Sequence, residues 1–142
     1  MTIAAILEAK GHNVVSIGEA QSVTQAAALL AERRIGAVPV MRGGEVAGIF
    51  SERDVIHCLA EDGPAALDRL VADVMTAPAI TVAPGESVLA ALALMTRRRI
   101  RHLPVVEGGR CIGLVSIGDL VKYRIERIEA EAEAMRSYIQ TA

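Results

Sequence analysis

The feature that most constrains this chain is an internal repeat, because a doubled sequence favours two copies of one structural unit. An ungapped offset of 65 residues aligns residues 15–56 with residues 80–121, and 15 of the 42 aligned positions are identical. The identical pairs include Ser22/Ser87, Pro39/Pro104, Gly43/Gly108, Gly48/Gly113, Ser51/Ser116 and Asp54/Asp119. Identity at this level is beyond chance and predicts two similar halves within the chain of 142 residues.

Each copy has the pattern of a β-α-β-β-α unit. Short β-rich runs at 14–17 and 80–82 precede Ser22 and Ser87, which are suited to cap a helix, and apolar residues then recur at spacings of three and four. Two further apolar runs are joined by a Gly-Gly pair, which predicts a β-hairpin. A second helix follows the hairpin. The expected fold class is therefore α+β.

A short apolar element precedes each copy, at residues 3–7 and 71–75, and these two elements match at an offset of 68 rather than 65. The arm after the first element is therefore three residues longer. We expect residues 1–62 to form repeat 1 with an N-terminal helical element, 63–70 a linker, 71–123 repeat 2, and 124–142 a C-terminal amphipathic helix. Neither half can bury both faces of its sheet alone, so the repeats should pack as a pseudo-twofold pair.

Two motifs resemble those of the CBS domain family. They are Gly48-Ile49-Phe50-Ser51-Glu52-Arg53-Asp54 and Gly113-Leu114-Val115-Ser116-Ile117-Gly118-Asp119, which follow Val38-Pro39-Val40 and Leu103-Pro104-Val105. The tandem arrangement is similar to a CBS pair, or Bateman module, and to small bacterial proteins that consist of this pair alone. The resemblance implies a regulatory module with an adenosyl ligand such as AMP, ATP, S-adenosylmethionine or NAD(H) in clefts between the repeats, and our hypothesis is an energy or redox sensor. A cytoplasmic location is the default expectation, because residues 1–7 lack the basic and long apolar regions of a signal peptide.

Two carboxylates are the expected ribose acceptors, Asp54 and Asp119, each three residues after a serine where a strand turns into a helix. Carboxylate oxygens suit the two ribose hydroxyls, and a helix start attracts phosphate. A capping box, in which Ser51 or Ser116 and the aspartate bond each other's backbone, is the alternative.

The remaining site residues come from the first strand and the proline strand of each copy. The prolines, which lack a backbone donor, suggest edge or bulge positions that leave neighbouring carbonyls open to adenine, with simple sheet-edge protection as the alternative. The predicted site in repeat 1 consists of Val15, Ser16, Ala37, Val38, Pro39, Ser51, Arg53 and Asp54. The predicted site in repeat 2 consists of Ile80, Thr81, Arg101, His102, Leu103, Pro104, Ser116, Gly118 and Asp119.

Charge makes the two predicted sites unequal. The resemblance implies a phosphate-binding role for Arg101 and His102, whereas the first copy has Gly36 and Ala37 there and only Arg53 nearby. The arginines at 33–34 and 97–98 are expected to solvate helix ends. A nucleic-acid patch is disfavoured because aromatic residues do not interleave with these arginines and the net charge is −2.

The C-terminal segment has apolar residues at alternating spacings of four and three: Val121, Ile125, Ile128, Ala132, Met135 and Ile139. This spacing is an a/d heptad seam, which favours a homodimer, with a brace across the N-terminal helix as the alternative. We find no catalytic triad, carboxylate pair, metal-ligand cluster or P-loop, and no apolar run near the roughly 18 residues of a membrane span. The sequence therefore predicts a non-enzymatic sensor without a metal or catalytic cofactor, and a ligand-independent dimeric scaffold is the alternative.

Overall fold

The computed structural model describes residues 1–141 and alternates helices with two small sheets. The elements in chain order are α1 (Ile3–Lys10), β1 (Ile17–Gly18), α2 (Val23–Arg33), β2 (Ala37–Arg42), β3 (Glu45–Ser51), α3 (Glu52–Asp62), a 3-10 helix (Gly63–Asp68), α4 (Val71–Val74), α5 (Val88–Arg98), β4 (His102–Glu107), β5 (Arg110–Ser116) and α6 (Ile117–Thr141). The α+β class and the long C-terminal helix expected from the sequence are confirmed.

The two hairpins have the same register. In repeat 1 the β2–β3 ladder runs from Ala37 opposite Ser51 to Arg42 opposite Glu45, and in repeat 2 the β4–β5 ladder joins the equivalent residues. Gly43 and Gly108 turn the hairpins with φ of 63° and 58°, a conformation that glycine adopts without a Cβ clash. The doubled unit therefore folds the same way twice.

The first strand of each repeat is shorter than the β-rich runs predict. Only Ile17–Gly18 forms β1, which pairs in parallel with Val40 and Met41, and in repeat 2 Val82 alone bridges to Val105. Pairing cannot extend to residues 14–16 because Ser16 would lie beside Pro39, which has no N–H to donate. In repeat 2 the ladder also stops after Val82. Pro84 is the equivalent of Glu19, whose N–H donates to the Met41 carbonyl at 3.3 Å in repeat 1, and proline has no N–H to donate.

The placement of the prolines corrects one expectation. β2 is the central strand of the order β1-β2-β3, so Pro39 is not on an edge strand, although a register shift follows it between Val40 and Met41. The carbonyl of Pro104 itself accepts the Val82 N–H at 3.0 Å. Both prolines are buried, and their place in the predicted sites stays a prediction.

The helices that precede the repeats are exchanged between the two cores. In α1, Ile3, Ile6 and Leu7 are buried in the core of repeat 2, whereas Val71 of α4 is buried in the core of repeat 1. Main-chain bonds hold both exchanges, from Ile3 N–H to the Glu86 carbonyl at 2.9 Å and from Val71 N–H to the Gln21 carbonyl at 2.8 Å. The division by sequence, which assigns residues 1–62 to repeat 1, thus differs from the division by packing.

The expected linker and tail also have defined structures. The 3-10 helix Gly63–Asp68 buries Ala66 in the core of repeat 1, so this segment is packed rather than a free connection. Helix α6 runs without a break through residue 123, the expected end of repeat 2. Leu120 is buried and Tyr123 packs against the core of repeat 2, whereas Ile125 and the residues that follow are exposed. None of the helices within residues 1–141 combines the length and apolarity that a bilayer crossing requires.

Candidate functional site

A cavity of about 210 Å³ opens between the two repeats, and we call it the first cleft. One water needs only about 10–15 Å³ of such space, so the cleft can admit a small-molecule ligand. The lining from repeat 1 is Gly36, Ala37, Ile49, Ser51, Glu52, Arg53 and Asp54. The lining from the rest of the chain is Thr76, Pro78, Ala79, Ile80, Arg99, Ile100, Arg101 and His102.

The polar centre of the first cleft is the half-buried carboxylate of Asp54. Its Oδ2 accepts the Ser51 N–H at 2.9 Å and the Ser51 hydroxyl at 3.1 Å, and its Oδ1 accepts the Thr76 hydroxyl at 3.0 Å. Ser51 also caps α3, because its Oγ accepts the Asp54 N–H at 3.4 Å. The capping box considered from the sequence is present. Oδ1 retains a further lone pair for a donor in the cleft.

Three arginines form a cationic rim on the first cleft. Arg53 lies at the start of α3, and its Nη1 donates to the carbonyl of Arg99 at 3.5 Å across the junction between repeats. Arg99 ends α5 in the left-handed conformation with φ of 55°, and Arg101 follows just before β4. All three residues line the cleft and are exposed, so their guanidinium groups are accessible to an anion that binds there.

His102 lies on the cleft wall beside Gly36, where a Cβ on Gly36 would be 3.3 Å from the imidazole Cε1. Burial and the nearby charge of Lys10 lower the pKa of His102, and they outweigh the opposing effects of Asp119 and Glu52. The imidazole is therefore neutral at neutral pH, so the arginines supply the positive charge of the cleft.

The floor of the first cleft is aliphatic. Ile80, Ala79 and Pro78 come from the segment before α5, and Ile49 and Ile100 add apolar surface from β3 and from the turn after α5. Apart from the His102 imidazole on the wall, the lining includes no aromatic ring. A flat ligand group here would be held between aliphatic side chains rather than by ring stacking.

The structure groups the predicted site residues differently from the sequence. Seven of them line the first cleft and come from both repeats: Ala37, Ser51, Arg53, Asp54, Ile80, Arg101 and His102. Outside this lining are Val15, Ser16, Val38, Pro39, Thr81, Leu103, Pro104, Ser116, Gly118 and Asp119. The side chains of Val38 and Leu103 are fully buried in the cores, so only the backbone of these residues is left for the contact predicted from the sequence. Because β3 packs against β5, the start of β4 faces the carboxylate of the other repeat.

Sequence reasoning missed Thr76, Pro78, Ala79 and Arg99. Thr76, Pro78 and Ala79 lie just before the aligned repeat, in a segment reached only because α4 packs on repeat 1 and the chain then forms a bridge with Ile49. Arg99 was outside the predicted sites although it adjoins Arg101. The run of basic residues at 97–102, interrupted only by Ile100, is the signal that could have included it.

The region of repeat 2 that corresponds to the first cleft at the offset of 65 is centred on Ser116 and Asp119 at the start of α6, with Gly118 between them. We call this region the second cleft by that correspondence. Asp119 Oδ2 accepts the Ser116 N–H at 2.9 Å, and Ser116 Oγ accepts the Asp119 N–H at 3.1 Å. Lys10 Nζ donates to Asp119 Oδ2 at 2.6 Å and to the Leu114 carbonyl at 2.7 Å. Burial alone would raise the pKa of Asp119, but the hydrogen bonds from Lys10 and Ser116 hold it below its ordinary value.

Comparison with known proteins gives one family. The model of the CBS domain matches twice, over residues 8–61 and 71–126. A CBS domain-containing mitochondrial protein of Arabidopsis thaliana, CBSX3, is 37% identical over an alignment of 124 residues that covers 84% of this chain and 60% of that protein. The chain thus spans about three fifths of the length of this curated relative.

Two solved structures extend the likeness to three dimensions. The CBS-domain containing protein ATU1752 from Agrobacterium tumefaciens is 38% identical with a TM-score of 0.84, over 87% of this chain and 99% of that one. The CBS domain protein PAE2072 from Pyrobaculum aerophilum, solved in complex with AMP, is 27% identical with a TM-score of 0.75, over 84% of this chain and 89% of that one.

Proposed function

Because this chain belongs to the CBS domain family, we propose that it is a regulatory module that binds an adenosyl ligand in the first cleft. The observation that carries the proposal is the position of Asp54, whose carboxylate faces a cavity between an aliphatic floor and three arginines. The AMP complex of the Pyrobaculum relative supports a ligand of this class.

Each part of an adenine nucleotide has a complementary surface in the first cleft. The ribose hydroxyls donate to Asp54, beside the Thr76 hydroxyl that already bonds the same carboxylate. The adenine lies on the floor formed around Ile80, and backbone groups there read its edge. The phosphates meet the exposed guanidinium groups of Arg53, Arg99 and Arg101.

The cationic rim favours phosphorylated ligands over nucleosides. AMP, ATP and NAD(H) each combine an adenosine with at least one phosphate, whereas the neutral His102 adds a donor or acceptor without charge. A charge-assisted hydrogen bond is roughly twice as strong as a neutral one, so removal of a rim arginine should weaken AMP more than adenosine. Binding of such a ligand would make the chain a sensor of cellular energy or redox state.

Regulation follows from the position of the first cleft between the repeats. A ligand there contacts residues of both repeats at once, so it binds most tightly to one relative arrangement of the two. The differential affinity sets how far the ligand can shift the surface that a partner protein recognises. The chain acts on this proposal as a binding protein rather than as an enzyme.

Calorimetric titration of ligand-stripped protein with AMP, ATP, NADH and adenosine tests the proposal. We expect heat of binding for at least one phosphorylated ligand, abolished in Asp54→Ala and retained in the control Asp68→Ala, whose exposed carboxylate lies in the 3-10 helix outside the cleft. Absence of binding by every nucleotide would contradict the proposal and leave the ligand-independent dimeric scaffold. Binding that survives in Asp54→Ala, together with a loss of about 1 kcal/mol in stability, would reduce Asp54 to a helix cap.

The exposed part of α6 is a surface for a second copy of the chain. Its seam residues are 42–68% exposed: Val121, Ile125, Ile128, Met135 and Ile139. In a parallel pair of these helices, Arg124 at a g position would face Glu129 at an e position of the second copy. Glu131 would face Arg136 of the second copy in the same way, so both pairs are attractive. The apolar seam and the complementary charges support a homodimer through α6, and the brace across α1 is limited to the first turns of the helix.

A further inference from the structure

The two helices that precede the repeats end differently although they pack alike. Leu7 of α1 packs on Gly113, where a Cβ would be 2.5 Å from Leu7 Cδ2, and Met75 after α4 packs on Gly48 in the same way, with a Cβ 2.8 Å from its sulfur. Leu7 and Met75 are thus equivalent, in agreement with the offset of 68 between these elements. Helix α4 stops at Val74, but α1 continues to Lys10, so the three extra residues of the first arm add nearly one helical turn.

The extra turn brings Lys10 to the place that Thr76 occupies in the first cleft. Thr76 donates its N–H to the Ile49 carbonyl at 2.9 Å and its hydroxyl to Asp54. Lys10 Nζ donates to the Leu114 carbonyl and to Asp119, and these are the equivalents of Ile49 and Asp54 at the offset of 65. One ammonium group therefore replaces both donors of Thr76.

The replacement changes what the second cleft offers to a ligand. Thr76 is short and neutral, so Asp54 keeps its charge available at the cavity. The Lys10 ammonium, by contrast, lies 2.6 Å from Asp119 Oδ2, the oxygen that also accepts the Ser116 N–H. Ribose hydroxyls and the Lys10 ammonium both donate to an ionised acceptor, but only the ammonium also carries the opposite charge and adds a Coulomb attraction to its hydrogen bond. The ammonium is also tethered by α1, which gives it an effective concentration in the millimolar range or above.

We propose that Lys10 is a built-in occupant of the second cleft and restricts this chain to one adenosyl ligand, bound in the first cleft. The inference rests on the proposed function for the identity of the ligand, but the contact between Lys10 and Asp119 stands independently of it. The two clefts, which are nearly identical in their serine–aspartate motifs, are thereby assigned different tasks: one binds ligand and the other is closed by the chain itself. Lys10 is a specificity-determining residue on this account.

The stoichiometry of AMP binding tests the inference. We expect one AMP per chain in the wild-type protein and two in Lys10→Met, because methionine keeps the apolar stem and lacks the ammonium group. Lys122→Met is the matched control, since it removes the other lysine of the chain from an exposed position on α6 and should leave one AMP per chain. Two variants identify the clefts: Lys10→Met with Asp119→Ala should return to one AMP, and Lys10→Met with Asp54→Ala should also bind one.

The outcomes separate this inference from the proposed function. Two AMP per chain in the wild type, or one in both the wild type and Lys10→Met, would overturn the role of Lys10. No AMP in the wild type and one in Lys10→Met would refute binding in the first cleft while supporting the occupant in the second.

A ligand-free measurement gives a second readout. Carbon-13 NMR titration of the Asp119 carboxyl should show its pKa rise in Lys10→Met and stay unchanged in Lys122→Met, because the Lys10 hydrogen bond helps to keep that pKa low. An Asp119 pKa that is equal in the wild type and Lys10→Met would contradict the ion pair.

Discussion

At the scale of single residues, identical side chains acquire different chemistry from their neighbours. Asp54 and Asp119 both complete a capping box with the serine three positions earlier. Asp54 then faces the Thr76 hydroxyl and Asp119 faces the Lys10 ammonium. The capping geometry is local and follows from the S-x-x-D spacing, but the third partner comes from a distant segment.

His102 provides a prediction at this scale. Its pKa lies below the ordinary value of 6.5 because burial and Lys10 disfavour the imidazolium, with Arg101 adding a smaller effect in the same direction. The unfolded chain therefore binds this proton at a higher pH than the native state does. The corresponding stability is fully present above about pH 6.5 and is lost as the pH falls from there toward the native pKa.

Urea unfolding between pH 7.5 and 5.5 measures this dependence. We expect the free energy of unfolding of the wild type to decrease as the pH is lowered, and we expect this decrease to be smaller in His102→Gln. His57→Gln, which changes an exposed histidine of α3, should keep the wild-type slope. The same slope in His102→Gln as in the wild type would show that another group dominates the acid side.

At the scale of elements, the hairpins and capped helices could be predicted, whereas the exchange of the preceding helices could not. Gly-Gly turns, capping serines and apolar spacing are local signals, and each acts within a few residues of the element that it defines. The packing of α1 on repeat 2 depends on complementary shapes, Leu7 against Gly113, that lie 106 residues apart. The different offset of these helices was visible in the sequence, but it did not show which core each helix enters.

The two close contacts predict a requirement for glycine at 48 and 113. A Cβ at Gly48 would be 2.7 Å from the Thr76 carbonyl oxygen, and one at Gly113 would be 2.5 Å from the buried Leu7 side chain. Overpacking of a dense core costs about 1–3 kcal/mol. We expect Gly48→Ala and Gly113→Ala each to lower the free energy of unfolding by about that amount.

Chemical denaturation of the three alanine variants checks this requirement, with Gly85→Ala as the control because a Cβ there meets nothing within 4 Å. Gly85→Ala should stay within about 0.5 kcal/mol of the wild type. Leu7→Ala should lower the free energy of unfolding less in the Gly113→Ala background than in the wild type, because the methyl group added at position 113 fills part of the cavity that the Leu7 side chain leaves. Equal costs would place Leu7 away from Gly113 in solution.

At the scale of the whole molecule, the pseudo-twofold pair explains why the sites could be predicted residue by residue but not as groups. Seven of the predicted residues line the first cleft, yet they come from both repeats rather than from one. An alignment of the two copies shows which residues are equivalent, but it does not show which residues of one copy pack against the other. The pairing of Asp54 with Ile80 and Arg101 is set by the packing of the repeats.

Assembly gives a prediction at this scale. If α6 pairs with a second copy, the wild-type protein should have about twice the chain mass of 15.0 kDa in sedimentation equilibrium. Ile128→Lys places a charge in the apolar seam and should reduce the mass to that of a single chain. Ser137→Lys lies on the opposite side of the same helix and should leave the dimer intact.

Charge reversal tests the parallel arrangement. Glu131→Arg should weaken the dimer because Arg136 of the second copy would then face a like charge, and Arg136→Glu added to it should restore the affinity. A wild-type protein that sediments as a single chain at micromolar concentration would contradict the α6 interface.

The exchange of α1 and α4 has a consequence for the order in which the chain can fold as it is synthesised. Repeat 1 holds its complete core once residue 75 has left the ribosome, because its members lie between Val15 and Met75. Ile3, Ile6 and Leu7 are made first, yet their neighbours extend from Ile80 to Tyr123. At roughly 5–20 residues per second, the beginning of the chain waits about 5–20 s for partners that are made near its end. The N-terminal helix is therefore the first element to be synthesised and among the last to pack into its core.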